Sequence, residues 1–244
     1  IGNLYLIASS KSAGKKISFK GKDYEIFDLE SFDFSKVKIA FFAAGGKISE
    51  KFAEKSAKHC LVIDNSSFYR MDPDVPLIVP QVNSNHLNQI KKNIIANPNC
   101  STIQMLVALK PIHDRFQILD INVSTYQAVS GSGKKGVDEL LSQSHSYMNQ
   151  QKIKPSVYPK QIGFNVIPFV DSFCDNGYTK EEMKMVWETQ KILDKNISVN
   201  ATAVRVPVLI GHSEAVTIKT KKPIDIDSVF DDYRNNEFIE YLSF

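Results

Sequence analysis

Through the first hundred residues, short apolar runs of strand length alternate with turn residues and helical stretches. Lys38–Ala44 (KIAFFAA) reads as a buried strand ending at Gly45-Gly46, and Ile48–Lys58 as a helix. Leu61-Val62-Ile63 is the next strand, ending in Asp64-Asn65-Ser66, and residues 93–96 form another. Strands that alternate with helices predict a parallel, doubly wound sheet whose ligands gather at the carboxyl ends of the strands. That rule singles out three strand-end segments: GG, DNSS and NPNCS.

The texture changes after Cys100. A helix begins in STIQMLVALK, with apolar positions at Ile103, Leu106, Val107 and Leu109, and Pro111 is expected to end or kink it. Gln117–Val129 is a long β-rich run, and 199–221 reads as two antiparallel strands about a turn at Gly211. Between them, Thr179–Leu193 is a helix with Thr179 and Glu182 in capping-box spacing. The expected architecture is α/β. A Rossmann-like nucleotide-binding domain occupies residues 1–100, and an α+β domain with a mainly antiparallel sheet occupies 101–244.

Composition narrows the function without naming it. Hydrophobic residues make up 43% and charged residues 23%, which excludes a disordered chain. A net charge of +3 with scattered Lys and Arg does not point to nucleic acid, though it suits a small anionic substrate. The apolar runs are strand length, too short to cross a bilayer. Three cysteines, at 60, 100 and 174, form neither a disulfide framework nor a metal set, and fit a reducing, cytoplasmic setting.

Cys100 is the leading chemical candidate. It lies at a strand-to-helix junction, where unpaired N–H groups and the helix dipole favour a thiolate and can hold a developing oxyanion. A free cysteine is more often a small buried hydrophobe, and Cys60 and Cys174 are read that way. His212, just past the Gly211 turn, is the best-placed proton shuttle of the five histidines. Its spacing leaves a structural role equally open. Arg205 is a charge inside an apolar strand: either a solvent-facing residue or a bidentate carboxylate clamp. Glu181 and Lys184 share a helix face, which is ordinarily a solvated ion pair. Arg70 is ambiguous from its surroundings alone.

Several runs, in order, resemble the bacterial aspartate-semialdehyde dehydrogenases: ASSKSAGK, FFAAGGKISEKFA, VIDNSSFYRMDPDVPLIVPQVN, IIANPNCSTIQMLVALKPIHD, VSTYQAVSGSGKKG, FNVIP, DNGYTKEEMKM and RVPVLIGHSEAV. The resemblance implies NADPH-dependent reductive dephosphorylation of L-4-aspartyl phosphate to the semialdehyde, by a homodimer or tetramer. Cys100 would form the thioacyl intermediate, His212 would act as general acid/base, and Gln127 would position substrate. Arg205 and Glu181 would bind the amino-acid end of the substrate, assisted by Asn99, while Arg70 and Lys184 would contact phosphate. NADP would meet Ser9, Lys11 and Ser12 at its 2′-phosphate, and Ser130 and Gly131 at its nicotinamide end. Lys11 stands where the family usually has Arg, keeping the charge but not the planar fork.

The family's opening glycine-rich βα unit and its closing segment have no counterpart here, so the sequence is expected to hold the family fold short at both ends. Two alternatives stand beside this reading. One is N-acetyl-glutamyl-phosphate reductase, which runs the same chemistry on a longer acyl phosphate. The other is a non-catalytic fragment that keeps the dimerisation domain.

Overall fold

The computed structural model describes residues 2–242. The first segment gives three strands, β1 (Leu6–Ala8), β2 (Lys16–Phe19) and β3 (Lys22–Asp28). β3 lies between the other two, parallel to β1 and in a hairpin with β2. A second sheet follows as β4 (Ile39–Phe42), helix α1 (Gly46–Ala57), β5 (Leu61–Asp64), the short α2 (Pro80–Asn83) and β6 (Ile94–Ala96). Its strands are all parallel in the order β4-β5-β6, as the alternation of strand and helix predicts.

β4 departs from expectation. Ala40 and Phe42 are buried, but Ile39 and Phe41 are 48% and 77% exposed. Apolar residues throughout KIAFFAA specify a strand, but they do not specify a cover for both faces. Among the described residues β4 pairs with β5 alone and packs against α1, so its alternate residues are the ones enclosed.

Helix α3 (Cys100–Phe116) continues straight through Pro111. A proline deep in a helix removes one backbone hydrogen bond and strains one turn. Here Leu109, Ile112 and Phe116 are buried around it and hold the last turns in place. The second half of the chain contains β7 (Ile118–Gln127), α4 (Lys134–Met148), α5 (Lys180–Ile192), β8 (Ser198–Arg205), β9 (Ser213–Thr220) and α6 (Ile226–Arg234). α4 has no counterpart among the elements expected from the sequence.

The expected hairpin between β8 and β9 does not form. β7 lies between them, parallel to β8 and antiparallel to β9, which makes the sheet mixed. Alternating polarity identifies strands but not partners, and residues 206–211 carry the chain across the end of β7. They first run beside 127–130, with Val206 N–H donating to Gln127, Val129 N–H to Val208 and Ser130 N–H to Leu209, at 2.9–3.1 Å. The predicted capping box on α5 is present, with both reciprocal bonds between Thr179 and Glu182.

One core runs through both halves. Val62 and Ile94 from the parallel sheet, Leu106 from α3, Ile121 and Val123 from β7, and Met185 from α5 belong to a single buried cluster. α3 is therefore the shared wall between the strand-end segments of the first half and the mixed sheet of the second.

Candidate active site

Cys100 is the first residue of α3 and is open to solvent. Asn99 caps the helix, its Oδ1 accepting the Ser101 and Thr102 N–H groups at 3.0 and 3.4 Å. The cap uses two of the amides that the helix start seemed to leave free for an oxyanion. The Cys100 N–H remains. Desolvation in the cleft, followed by the negative charge of Glu181, pushes the Cys100 thiol above its ordinary value, while the amides of Ser101 and Cys100 pull less strongly the other way. The balance favours the thiol over the thiolate.

Topology brings the remaining groups to this point. Gln127 ends β7 and Arg205 ends β8, and the two are direct register partners. β9 runs the other way and begins opposite Tyr126, so His212 at its entry arrives at the same edge. The alternation that left Arg205 open to a solvent-facing role resolves inward: Ala201, Ala203 and Arg205 are all buried. Arg205 Nη1 donates to the Ala128 carbonyl at 2.8 Å. Its backbone exchanges two 2.9 Å bonds with Ile167, which accounts for the FNVIP run. The Tyr158 ring centroid lies 5.9 Å from its guanidinium carbon.

His212 Nδ1 accepts the Ala128 N–H at 3.0 Å. Desolvation and then the Arg205 charge hold the imidazole below its ordinary pKa, with Glu181 opposing them. The ring is therefore neutral near pH 7, its proton on Nε2. Gly131 packs against both groups: a Cβ placed there would sit 3.0 Å from Arg205 Nη1 and 3.3 Å from His212 Nε2.

α5 forms the opposite wall. Glu181 is buried, and its Oε1 accepts from Asn99 Nδ2 at 2.9 Å and from Gln127 Nε2 at 3.3 Å. Its Oε2 takes Lys184 Nζ at 3.0 Å. Burial opposes its charge, but Lys184 and the two amides outweigh it and hold the carboxyl below its usual range. The Glu181–Lys184 pair is thus an enclosed one, unlike the solvated pair that spacing alone suggests. Lys184 also meets Asp171 at 2.9 Å, a partner that sequence spacing gave no means of finding.

Arg70, buried three residues past the DNSS segment, uses three of its five N–H donors. They go to Ser66 O at 3.1 Å, Asn65 O at 3.3 Å and Glu188 Oε1 at 2.9 Å. Two remain for a ligand. Glu188 has no predicted role, yet it also accepts the Asn99 N–H at 2.6 Å.

Ser9, Lys11 and Ser12 lie in the turn that follows β1, at the strand end where an α/β sheet receives its nucleotide. Ser9 and Lys11 are exposed, and a cation between two hydroxyls suits a phosphate. Ser130 and Gly131 form part of the short turn Val129–Ser132 beside Arg205 and His212. Cys60 is buried and donates to Ser56 O. Among the described residues no cluster of metal-ligating side chains occurs.

A nucleotide-binding strand unit joined through a cysteine-bearing helix to a mixed-sheet domain defines the semialdehyde dehydrogenase class. Residues 1–90 match the semialdehyde dehydrogenase NAD binding domain, and 109–240 match the semialdehyde dehydrogenase dimerisation domain. The chain belongs to the aspartate-semialdehyde dehydrogenase family. The enzyme of Shewanella sp. (strain DB6705) is 57% identical over 232 residues, covering 94% of this chain and 69% of that one. The crystal structure of aspartate semialdehyde dehydrogenase II from Vibrio cholerae, complexed with ASA, superposes with a TM-score of 0.95 at 52% identity, covering 98% of this chain and 72% of that one. The Candida albicans enzyme with NADP superposes at 0.70 with 25% identity, covering 96% and 68%.

Proposed function

We propose that this chain reduces L-4-aspartyl phosphate to L-aspartate 4-semialdehyde with NADPH, releasing phosphate, with Cys100 as the nucleophile. The reaction belongs to the biosynthesis of lysine, threonine, methionine and isoleucine. The observation that carries the assignment of roles is the convergence of Gln127, Glu181, Arg205 and His212 around the Cys100 helix start.

Arg205 clamps the substrate carboxylate through the guanidinium nitrogens not given to Ala128. Glu181 takes the substrate ammonium and Asn99 lines the same end. Cys100 Sγ attacks the acyl carbon, the bond from that carbon to the phosphate oxygen breaks, and the phosphate departs toward Arg70 and Lys184. Gln127 lines this end of the site and helps position the substrate and the resulting thioester. When bound, NADPH supplies the hydride that reduces this thioester. Ser9, Lys11 and Ser12 would hold its 2′-phosphate, and Ser130 and Gly131 would lie at the nicotinamide. Proton traffic runs through His212 Nε2, because Nδ1 is occupied by the Ala128 N–H.

We further place the division between nucleotide-binding and catalytic domains at residue 100, where the parallel sheet has ended and α3 begins. The partner is a second copy of the chain, giving a homodimer or tetramer. A fitting surface is the outer sheet face on which Asn122, Tyr126 and Thr202 are exposed. We assign the chain to the cytoplasm, where its free thiols stay reduced. No helix among the described residues is long and apolar enough to cross a membrane.

The test is the reverse assay, in which semialdehyde, phosphate and NADP are followed by NADPH absorbance. Turnover with aspartate semialdehyde is expected. Turnover confined to the N-acetyl-glutamyl compound would reassign the substrate, and a folded chain that binds no NADPH would leave only the dimerisation role.

A further inference from the structure

Along α5, Glu181, Lys184, Glu188 and Lys191 follow one another at helical spacing and share one face. The first two belong to the site above, and the last two have no part in the reaction as described. Glu188 is 1% exposed, and its two carboxylate oxygens point to different halves of the molecule. Oε1 accepts from Arg70 Nη1 at 2.9 Å, and Oε2 accepts the Asn99 N–H, directly before the nucleophile, at 2.6 Å. Lys191, one turn on, donates to the backbone carbonyls of Arg70 at 2.7 Å, Asp72 at 2.7 Å and Val75 at 2.9 Å. The helix thus holds Arg70 by its side chain and its main chain, and holds the Cys100 turn through Asn99.

We infer that Glu188 is a positioning residue that fixes the guanidinium of Arg70 relative to the Cys100 thiol. The inference rests on the reading of Arg70 as a phosphate ligand. With three donors fixed by Glu188, Ser66 and Asn65, the two free N–H groups of Arg70 keep one direction. Because the same carboxylate fixes the Asn99 peptide, phosphate and thiol are registered by a single side chain. Glutamine cannot replace it. One end of its amide is a donor, so whichever way the group turns, either Arg70 or the Asn99 N–H meets a donor instead of an acceptor.

The test uses the full chain in the reverse reaction and separates the substrates. Glu188→Gln is expected to raise the KM for phosphate about tenfold and lower kcat by a similar factor, with the KM for semialdehyde changed less than twofold. Placed in an Arg70→Ala background, the same change should not alter the phosphate KM further, because its effect passes through Arg70. A Glu188→Gln enzyme that melts earlier but keeps wild-type phosphate KM and kcat overturns the inference, leaving Glu188 a purely structural group. A wild-type phosphate KM in Arg70→Ala alone overturns the Arg70 reading instead. If Glu188→Gln does not fold, Lys191→Met takes its place. A selective rise in phosphate KM supports the coupling, and an unchanged value refutes it.

Discussion

Arg205 and His212 grip opposite backbone groups of the same residue: Arg205 Nη1 donates to the Ala128 carbonyl at 2.8 Å, and the Ala128 N–H donates to His212 Nδ1 at 3.0 Å. The residues proposed as carboxylate clamp and proton carrier, one ending β8 and the other just before β9, therefore share one reference point in the backbone. Gly131 closes the arrangement from the other side. Its missing side chain is what lets both groups stay there.

Gly131→Ala should disturb both at once. The added methyl would lie 3.0 Å from Arg205 Nη1 and 3.2 Å from His212 Cε1, too close for either to keep its place. The expected result is a loss of kcat/KM of tenfold or more, about 1.4 kcal/mol of transition-state stabilisation. Because Gly131 is exposed, the melting temperature should hardly move. Steady-state kinetics alongside a thermal melt check this, and an unchanged kcat/KM would show that the two side chains can yield without cost.

Cys100→Ala should abolish turnover and leave the fold intact, since the side chain is solvent-accessible and the Asn99 cap does not depend on it. Stability should stay within about 0.5 kcal/mol of wild type. Substantial residual turnover would refute the thioester route.

Glu181 raises the pKa of the Cys100 thiol by its charge, second only to desolvation. Removing that charge in Glu181→Gln should shift the pH profile of thiol alkylation by iodoacetamide to lower pH. The same variant should weaken substrate binding by removing the partner of the ammonium group. A profile that stays in place would mean Glu181 acts on the substrate alone.

Glu214, on β9 two residues past His212, carries a buried oxygen with no hydrogen-bond partner, and burial raises its carboxyl to about 7, opposed only by the neighbouring Gln104 side chain. A carboxyl whose folded pKa lies above its unfolded value keeps its proton longer in the native state. The contribution of Glu214 to stability should therefore fall as pH rises from about 4.5 to about 7, and stay at the lower level above that. Glu214→Gln should be more stable than wild type at pH 8, on the order of 2 kcal/mol, and no more stable at pH 4. Denaturant titrations at the two pH values decide it.

Much of this was legible from residue order because the information is local. Strand ends mark NPNCS and DNSS, and capping spacing marks the start of α5, since each depends on neighbours within a turn. Pairing was not legible. Nothing in 199–221 shows that β7 separates its two strands, and Pro111 looks like a helix end until Ile112 and Phe116 are seen packed in the core. The partners of the charged site residues were hidden for the same reason. Asp171 and Glu188 matter through contacts with Lys184 and Arg70, and no period in the sequence links positions so far apart. Lys191 looks like a solvated lysine until three carbonyls are found around it.

The span between those partners bears on how the protein is made. Arg70 and Glu188 are 118 positions apart, and His212 is held by a residue 84 positions before it. In a growing chain Arg70 has its local carbonyl partners but no carboxylate partner until α5 has been made. Closing such long loops is entropically slow. Activity should consequently appear late during refolding, once β8 and α5 have docked.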